Sequence, residues 1–250
     1  AIGYKTPTPI QAEAIPVFMS GADVIGRART GSGKTAAFGL PLLNQIPVKS
    51  KKPKGIILAP TRELALQVTD ALKELSKGSG RKIVTIYGGA SYTAQLKALK
   101  AGVSIVVGTP GRTLDLMNKG ALDLSEISHF VLDEADEMLR MGFIEDVETL
   151  LEASGDSKQI GLFSATMPKP IRRIAESFMT EPVVVQVESK GMSTEHIDQA
   201  WIPAKESKKL PILQRIIEGW VDGAALVFVR TRMRCAQVAD ALTAKGIMAD

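Results

Sequence analysis

The sequence predicts an α/β fold, in which a parallel sheet carries helices on both of its faces. Short β-branched runs alternate with amphipathic segments along most of the chain, and this alternation is typical of βαβ units. The predicted strands are 22–26, 55–59, 82–87, 104–107, 127–133, 159–164 and 182–187.

The segments between these runs have the apolar spacing of helices. In 62–76, one stripe contains Leu64, Ala65, Val68, Leu72 and Leu75, a pattern that marks the buried face of a helix. A chain of 250 residues with 45% hydrophobic content can bury one large core or two unequal ones.

A polar, flexible run at 188–196 predicts a linker between two domains, 1–187 and 197–250. The alternation restarts after it, with predicted strands at 197–203 and 224–229 and predicted helices at 207–220 and 231–245. An α/β domain usually has about 100 to 150 residues. We therefore expect the second domain to be incomplete, and a first residue of Ala1 suggests that the natural start is also missing.

Composition restricts the functional classes only loosely. The net charge of +4 permits a polyanionic partner without requiring one. The sequence has no run of 18 apolar residues and no leader, so we expect a cytoplasmic protein with no membrane partner.

The single cysteine and the two histidines are predicted to be structural. Cys235 excludes an intramolecular disulfide, and its helical spacing with Val238 and Leu242 favours a core position over a nucleophile. His129 and His196 lack Cys or Asp partners at metal-binding spacing.

A glycine-rich string predicts a phosphate-binding loop. Residues 28–35 read Ala-Arg-Thr-Gly-Ser-Gly-Lys-Thr, between a short apolar strand and a predicted helix. In this context the backbone N–H groups and the helix N-terminus face a phosphate, while Lys34 reaches further along the phosphate chain. The alternative is an ordinary glycine-rich turn before a helix.

A second string supplies carboxylates at the end of an apolar strand. Asp133, Glu134, Ala135 and Asp136 follow the run 129–132, and such carboxylates are suited to holding Mg²⁺. Together, the two strings predict a nucleoside-triphosphate site.

Further strings fall where other predicted strands end, on the edge at which open α/β sheets bind ligands. They are 59–65 (Ala-Pro-Thr-Arg-Glu-Leu-Ala), 88–89 (Gly-Gly), 109–112 (Thr-Pro-Gly-Arg) and 164–166 (Ser-Ala-Thr). In this order the chain resembles a DEAD-box RNA helicase over essentially its whole length, and the run 133–143 resembles the bacterial cold-shock branch. The resemblance implies a RecA-like P-loop domain followed by part of a second RecA-like domain.

The resemblance also implies an ATP site. Gln11 would read the adenine, for which a side-chain amide offers both a donor and an acceptor; taken alone, its segment predicts a Pro-rich turn before a helix. Thr35 and Asp133 would hold Mg²⁺, and Glu134 would orient or deprotonate the attacking water, with Lys34 and Asp133 as the other catalytic residues. The implied nucleotide-binding residues are Tyr4, Lys5, Thr6, Gln11, Arg29, Thr30, Gly31, Ser32, Gly33, Lys34 and Thr35.

Two further sets of residues are implied by the resemblance. Asp136, Ser164 and Thr166 would couple hydrolysis to RNA binding, although Ser164 and Thr166 could instead cap a helix near Pro168. The implied RNA-binding residues are Pro60, Thr61, Arg62, Gly88, Gly89, Thr109, Pro110, Gly111, Arg112, Arg230 and Thr231. None of these residues offers an aromatic ring to stack on a base, so contact with the RNA backbone, independent of sequence, is expected. Residues 227–232 could alternatively be an ordinary buried strand and a basic helix start.

The sequence departs from the family pattern at four places. Ala28 replaces a glycine of the general phosphate loop, and Thr113 stands where the family often has Leu. The upstream aromatic residue that stacks on adenine and the later second-domain motifs, including the arginine finger, are absent. We therefore expect these 250 residues alone to be weakly active or inactive.

The sequence predicts an ATP-dependent RNA helicase. Two alternatives remain open, namely a nucleotide-dependent RNA clamp without productive turnover and a DNA translocase. The intact Glu134 argues against a pure clamp, because a clamp does not need a carboxylate that activates water.

Overall fold

The computed structural model describes residues 5–29, 31–187, 198–220 and 223–250. The chain divides into two compact units, with the division between Gly191 and Met192.

The first unit alternates helices and strands. Its helices are α1 (Pro9–Met19), α2 (Lys34–Gln45), α3 (Arg62–Leu75), α4 (Tyr92–Lys100), α5 (Pro110–Asn118), α6 (Ala135–Arg140), α7 (Ile144–Ala153) and α8 (Lys169–Phe178). Its strands are β1 (Val24–Arg27), β2 (Gly55–Leu58), β3 (Ile83–Ile86), β4 (Ile105–Gly108), β5 (His129–Asp133), β6 (Gln159–Ser164) and β7 (Val183–Gln186). These are the seven strands predicted from the sequence, with ends that differ by no more than two residues.

The strands form one parallel sheet in the order β3-β4-β2-β5-β6-β1-β7. Since all strands are parallel, their carboxyl ends lie along one edge of the sheet and their amino ends along the opposite edge. The predicted α/β fold is confirmed.

Adjacent residues of a strand enter different hydrophobic layers. In β2, Ile56 and Leu58 pack into the layer that contains Leu116 of α5, whereas Ile57 packs into the layer that contains Phe38 of α2. A strand buried on both faces explains why the strands read as continuous apolar runs rather than alternating ones.

The second unit differs from its prediction. It contains α9 (Glu206–Trp220) and α10 (Arg232–Thr243), but the predicted strands are wrong for the described residues 198–203 and 224–229, which form no strand. A strand needs a neighbour to satisfy its backbone groups, and the described residues of this unit provide none. Leu226 and Phe228, which lie in the predicted strand 224–229, are 82% and 86% exposed.

The predicted core position of Cys235 is also wrong. Cys235 is exposed, and the buried residues of α10 are Val238 and Leu242. Cys235 borders a cavity that Val238 and Leu242 also line. Within the described ranges, no helix is both long and apolar enough to cross a membrane.

Candidate nucleotide and RNA site

The carboxyl edge of the sheet divides into two halves. The strands β5, β6 and β1 are neighbours and lead into the phosphate loop and the carboxylates, whereas β2, β4 and β3 lead into the predicted RNA-binding strings. The sheet order therefore brings together motifs that are up to about a hundred residues apart, and it keeps the two sets side by side.

The phosphate loop connects β1 to α2, which begins at Lys34. Gly31 and Gly33 have φ angles of 80° and 93°, in the left-handed region that favours glycine. A Cβ at Gly33 would lie only 2.5 Å from Nε2 of Gln11, so a side chain here would also displace the Gln11 amide. Thr30 lies outside the described residues.

Gln11 joins the start of α1 to the phosphate loop. Its buried side chain donates from Nε2 to the Gly33 carbonyl at 3.1 Å and accepts from the Thr8 N–H at 3.0 Å. The amide keeps one further N–H and one lone pair, which suffices to contact a base. Lys5 and Thr6 are exposed, and Tyr4 lies outside the described residues.

Lys34 is buried between two carboxylates. Its Nζ lies 2.7 Å from Glu134 Oε1 and 3.9 Å from Asp133 Oδ1, and the side chain is 5% exposed. A buried ammonium needs such partners. Glu134 precedes α6 with a φ of 56°, a conformation that costs a non-glycine residue about 1–3 kcal/mol and that clusters at functional sites.

Asp133 ends β5 with its carboxylate buried. Burial raises the pKa of Asp133 to about 6; the Glu134 charge acts in the same direction and Lys34 opposes it. Asp133 Oδ1 has no hydrogen-bond partner among the described residues, and a cation would satisfy this atom.

Asp133 and Thr35 offer the oxygen ligands that Mg²⁺ prefers. Thr35 lies in the first turn of α2 and is partly exposed. The described part of the chain has no cluster of three His, Cys, Asp or Glu side chains suited to a metal. A few protein ligands plus water and substrate phosphates are typical of Mg²⁺ sites, so these residues fit that ion.

Asp136, Ser164 and Thr166 form one hydrogen-bonded network. Asp136 Oδ2 accepts from the Thr166 N–H at 3.0 Å and the Thr166 hydroxyl at 2.7 Å, while Ser164 Oγ accepts from the Asp136 N–H at 3.1 Å. Burial alone would raise the pKa of Asp136, but the hydrogen bonds from Thr166 and at Ser164 hold it below its ordinary value. The alternative of a cap for the following helix is wrong, because α8 begins after Pro168 with no side-chain cap.

The predicted RNA-binding residues of the first unit follow β2, β3 and β4. Thr61 caps α3 by accepting from the Leu64 N–H at 3.3 Å, and Thr109 precedes α5 without a side-chain cap bond. Gly88 and Gly89 are exposed, and a Cβ at either would meet nothing within 4 Å. Here the backbone is open to a ligand. Pro60, Gly111, Pro110, Arg62 and Arg112 lie in the same row of loops and helix starts.

Two tyrosines that the sequence analysis missed contact the predicted RNA-binding arginines. The Arg62 guanidinium carbon lies 4.9 Å from the Tyr87 ring centroid, and that of Arg112 lies 5.2 Å from the Tyr92 ring centroid. Tyr87 directly precedes Gly88. The position of Tyr87 beside the Gly88-Gly89 string is the feature of the sequence that could have indicated this contact.

The second unit contains the remaining predicted RNA-binding residues. Thr231 caps α10 by accepting from the Arg234 N–H at 3.1 Å, and Arg230 is exposed beside it. The hydroxyl of Thr231 therefore already has a structural role.

His129 is structural, as predicted. Its ring nitrogens lie 2.9 Å from Ser128 Oγ and 2.9 Å from Gln45 Oε1, and burial lowers its pKa. His196 and the predicted linker 188–196 lie outside the described residues. Thr113 is buried and its hydroxyl donates to the Thr109 carbonyl at 2.9 Å, so this departure from the family pattern is accommodated by a local hydrogen bond.

Known structures share this fold. A DEAD box protein from Methanococcus jannaschii matches with a TM-score of 0.72 and 40% identity, over 99% of this chain and 67% of that one. A hypothetical ATP-dependent RNA helicase from Sulfolobus tokodaii matches with a TM-score of 0.69 and 33% identity, over 96% of this chain and 69% of that one. These matches confirm the predicted RecA-like fold.

Sequence relatives agree. The ATP-dependent RNA helicase DeaD of Klebsiella pneumoniae is 52% identical over 98% of this chain and 38% of its own length. The DEAD-box ATP-dependent RNA helicase CshA of Bacillus cereus is 47% identical over 100% of this chain and 48% of its own length. The chain thus spans less than half of these relatives. The family profile for DEAD/DEAH box helicases matches residues 8–174, and the chain belongs to that family.

Proposed function

We propose that this protein is an ATP-dependent RNA helicase, which couples ATP binding and hydrolysis to local separation of an RNA duplex. The observation that carries the proposal is the divided carboxyl edge, where a buried Lys-carboxylate cluster lies beside loops with exposed glycine backbone and arginines. Both relatives described above are named as ATP-dependent RNA helicases. The proposed location is the cytoplasm.

The phosphates of ATP would bind at the start of α2. The helix N-terminus and the loop backbone favour negative charge there, and Lys34 lies at the first position of the helix. Gln11 would contact the adenine while it keeps its bond to the Gly33 carbonyl. Mg²⁺, held by Asp133 and Thr35, would neutralise charge that develops on the phosphates.

Glu134 is the proposed general base. Its carboxylate now pairs with Lys34 at 2.7 Å. Phosphate oxygens compete for the same ammonium, so ATP binding would weaken this ion pair and leave the Glu134 carboxylate available to a water molecule. The left-handed backbone at Glu134 fixes the side chain at the end of β5.

Strand β5 is placed to connect the two halves of the edge. It pairs with β2 on the RNA side and with β6 on the ATP side. Asp136, in the first turn of α6 three residues after the end of β5, bonds to the loop after β6. A change at the phosphates would therefore reach the loop after β2 through one hydrogen-bonded strand.

RNA would be held by its backbone. Arg62 and Arg112 would neutralise phosphates, and the hydroxyls of Thr61 and Thr109 would contact the 2′-hydroxyls. The two tyrosine rings lie against these arginines, which favours a role in holding the guanidinium groups over a role in stacking on bases. Sequence-independent binding follows from this arrangement.

The test compares RNA and DNA single strands of one sequence by fluorescence anisotropy at matched ionic strength. We expect tighter binding to RNA, and a loss for Arg112→Ala together with a reduction of about 0.7 in the slope of log affinity against log salt. Arg173→Ala is the control, because Arg173 pairs with Glu148 at 2.7 Å away from these loops. Equal affinities for RNA and DNA would favour the DNA translocase instead.

A further inference from the structure

A group of basic loops lies on the edge of the sheet opposite the phosphate loop. We name the segments 46–54, 76–82 and 101–104 the amino-edge loops; they directly precede β2, β3 and β4. These three strands are neighbours in the sheet and run parallel. The three loops therefore lie side by side.

The amino-edge loops concentrate positive charge. They contain seven Lys or Arg residues and no Asp or Glu, whereas the whole chain has a net charge of +4. Lys52 and Lys54 are paired with Asp123 and Glu126 of the loop before β5. The other five, Lys49, Lys51, Lys77, Arg81 and Lys82, have no carboxylate partner within the described residues.

The three loops surround one concave site. A cavity of about 330 Å³ is lined by residues of all three, including Lys49, Ser50, Lys51, Lys82 and Ser104. Lysine ammonium groups are donors suited to phosphate oxygens, whereas the hydroxyls of Ser50 and Ser104 already donate to the carbonyls of Lys52 and Lys82. Of the residues that the structure describes, no aromatic one lines the cavity, so a base would find no ring among them on which to stack.

The backbone of this site is fixed by internal bonds. The Arg81 guanidinium donates to the carbonyls of Leu43, Ile46 and Pro47 at 2.8, 2.8 and 3.0 Å. The Ser104 N–H donates to the Lys82 carbonyl at 3.0 Å, which joins two of the loops. A preformed site of this kind loses less entropy on binding than a flexible one.

We propose that the amino-edge loops bind the phosphates of an RNA strand, as a contact separate from the carboxyl edge. The proposal rests on the proposed function, because it concerns the same RNA. An acidic protein segment fits less well, since protein interfaces depend on buried apolar anchors and the large exposed apolar side chain at this cavity is Val48 alone among the described residues. The contact would be independent of base sequence, because lysines act as point charges.

The two edges are separated by at least the length of a four-residue strand, about 13 Å at 3.3 Å per residue. A short RNA that fills the carboxyl edge would not reach the amino-edge loops, whereas a longer one would. The contribution of these loops should therefore depend on RNA length.

The experiment measures the affinity of the 250-residue chain for a short and a long single-stranded RNA. The variant Lys49→Glu/Lys51→Glu is compared with Lys205→Glu/Lys208→Glu, which makes the same change in net charge on exposed lysines of the second unit. For the long RNA we expect the first variant to bind about tenfold more weakly, and the salt slope to fall by about 1 to 1.5. The short RNA and ATP should bind as before. Lys49→Gln/Lys51→Gln should show an intermediate loss, with an unchanged melting temperature.

Equal effects of the two glutamate variants on the long RNA would overturn the proposal. So would weaker binding of polyglutamate without weaker binding of RNA, which would assign the loops to an acidic protein. These results are distinguishable from failure of the proposed function, in which the parent chain would not prefer RNA and Arg112→Ala would have no effect.

Discussion

In the ATP half of the carboxyl edge, charged side chains are largely shielded from solvent and lie within about 4 Å of each other, as Lys34, Asp133 and Glu134 show. At the amino edge, in the loops that precede β2, β4 and β3, five of the seven positively charged side chains have no carboxylate partner among the described residues. The first arrangement holds a few groups in a strained and desolvated geometry, which suits chemistry. The second offers uncompensated charge over a wide surface, which suits binding of a polyanion. The same types of charged residue therefore serve catalysis at one edge of the sheet and binding at the other, and their position in the fold determines which.

The largest effect is expected at the buried cluster. In a protein that carries this chain within its full natural length, Glu134→Gln keeps the size and hydrogen bonding of the side chain but removes the base. ATP hydrolysis should fall by at least about a hundredfold while ATP still binds. Glu137→Gln is the control, since Glu137 lies in α6, the helix that Glu134 precedes, and pairs with Arg140. Near-normal steady-state turnover in the Glu134 variant would place the base elsewhere.

The hydrogen bond between Thr166 and Asp136 should give the next largest effect when it is removed. Thr166→Val removes the hydroxyl that donates to Asp136 Oδ2 at 2.7 Å, and a hydrogen bond to a charged group is worth about 1.5–3 kcal/mol. RNA stimulation of ATP hydrolysis should fall about tenfold or more, with little change in ATP affinity. Thr166→Ser keeps the hydroxyl and should restore stimulation. A loss of stimulation in both variants would make the network structural only.

A substitution of Gln11 tests whether this residue contributes both to the phosphate loop and to recognition of the adenine base. Because its side chain also bonds the Gly33 carbonyl, Gln11→Ala should weaken binding of both ATP and GTP. ATP should lose about tenfold more, since only adenine loses a hydrogen-bonding partner. Calorimetric titration measures both affinities, and Gln67→Ala, an exposed glutamine of α3, is the control. Equal losses for ATP and GTP would reject adenine recognition by Gln11.

The smallest effect concerns stability at the amino edge. Burial lowers the pKa of His129, so the unfolded chain takes up a proton near its ordinary pKa of about 6.5 while the folded chain stays neutral. The free energy of unfolding should therefore decrease as the pH falls below about 6.5, by up to about 1.4 kcal/mol per pH unit. His129→Gln should flatten this dependence in urea unfolding measured at several pH values. An unchanged slope would show that other groups dominate it.

The same two edges show what a sequence can predict. The motif residues of the carboxyl edge were predictable because each string lies at the end of an apolar strand, as Asp133 ends β5. The ion pair of Lys34 with Glu134 was not, because it depends on the spatial alignment of segments a hundred residues apart. The Tyr87–Arg62 contact was missed for the same reason.

The positive charge of the amino-edge loops could not be recognised from the sequence. Their lysines are scattered over three segments, and the net charge of +4 reflects the whole chain. Only the sheet order β3-β4-β2 makes them neighbours. In the second unit, the run around Leu226 and Phe228 is apolar in the way that is typical of a strand. A strand forms only where a neighbouring strand pairs with it, and the apolar run does not indicate whether such a neighbour is present.

The central claim is that one edge of the sheet has an ATP half and an RNA half. Hydrogen–deuterium exchange on the 250-residue chain, with ATP and Mg²⁺ or with single-stranded RNA, tests it most directly. We predict that nucleotide protects the amides of 28–36 and 133–136, and that RNA protects 60–62, 88–89 and 109–112. Protection of 28–36 by RNA alone, or no RNA protection after β2, β3 and β4, would contradict the division of the edge.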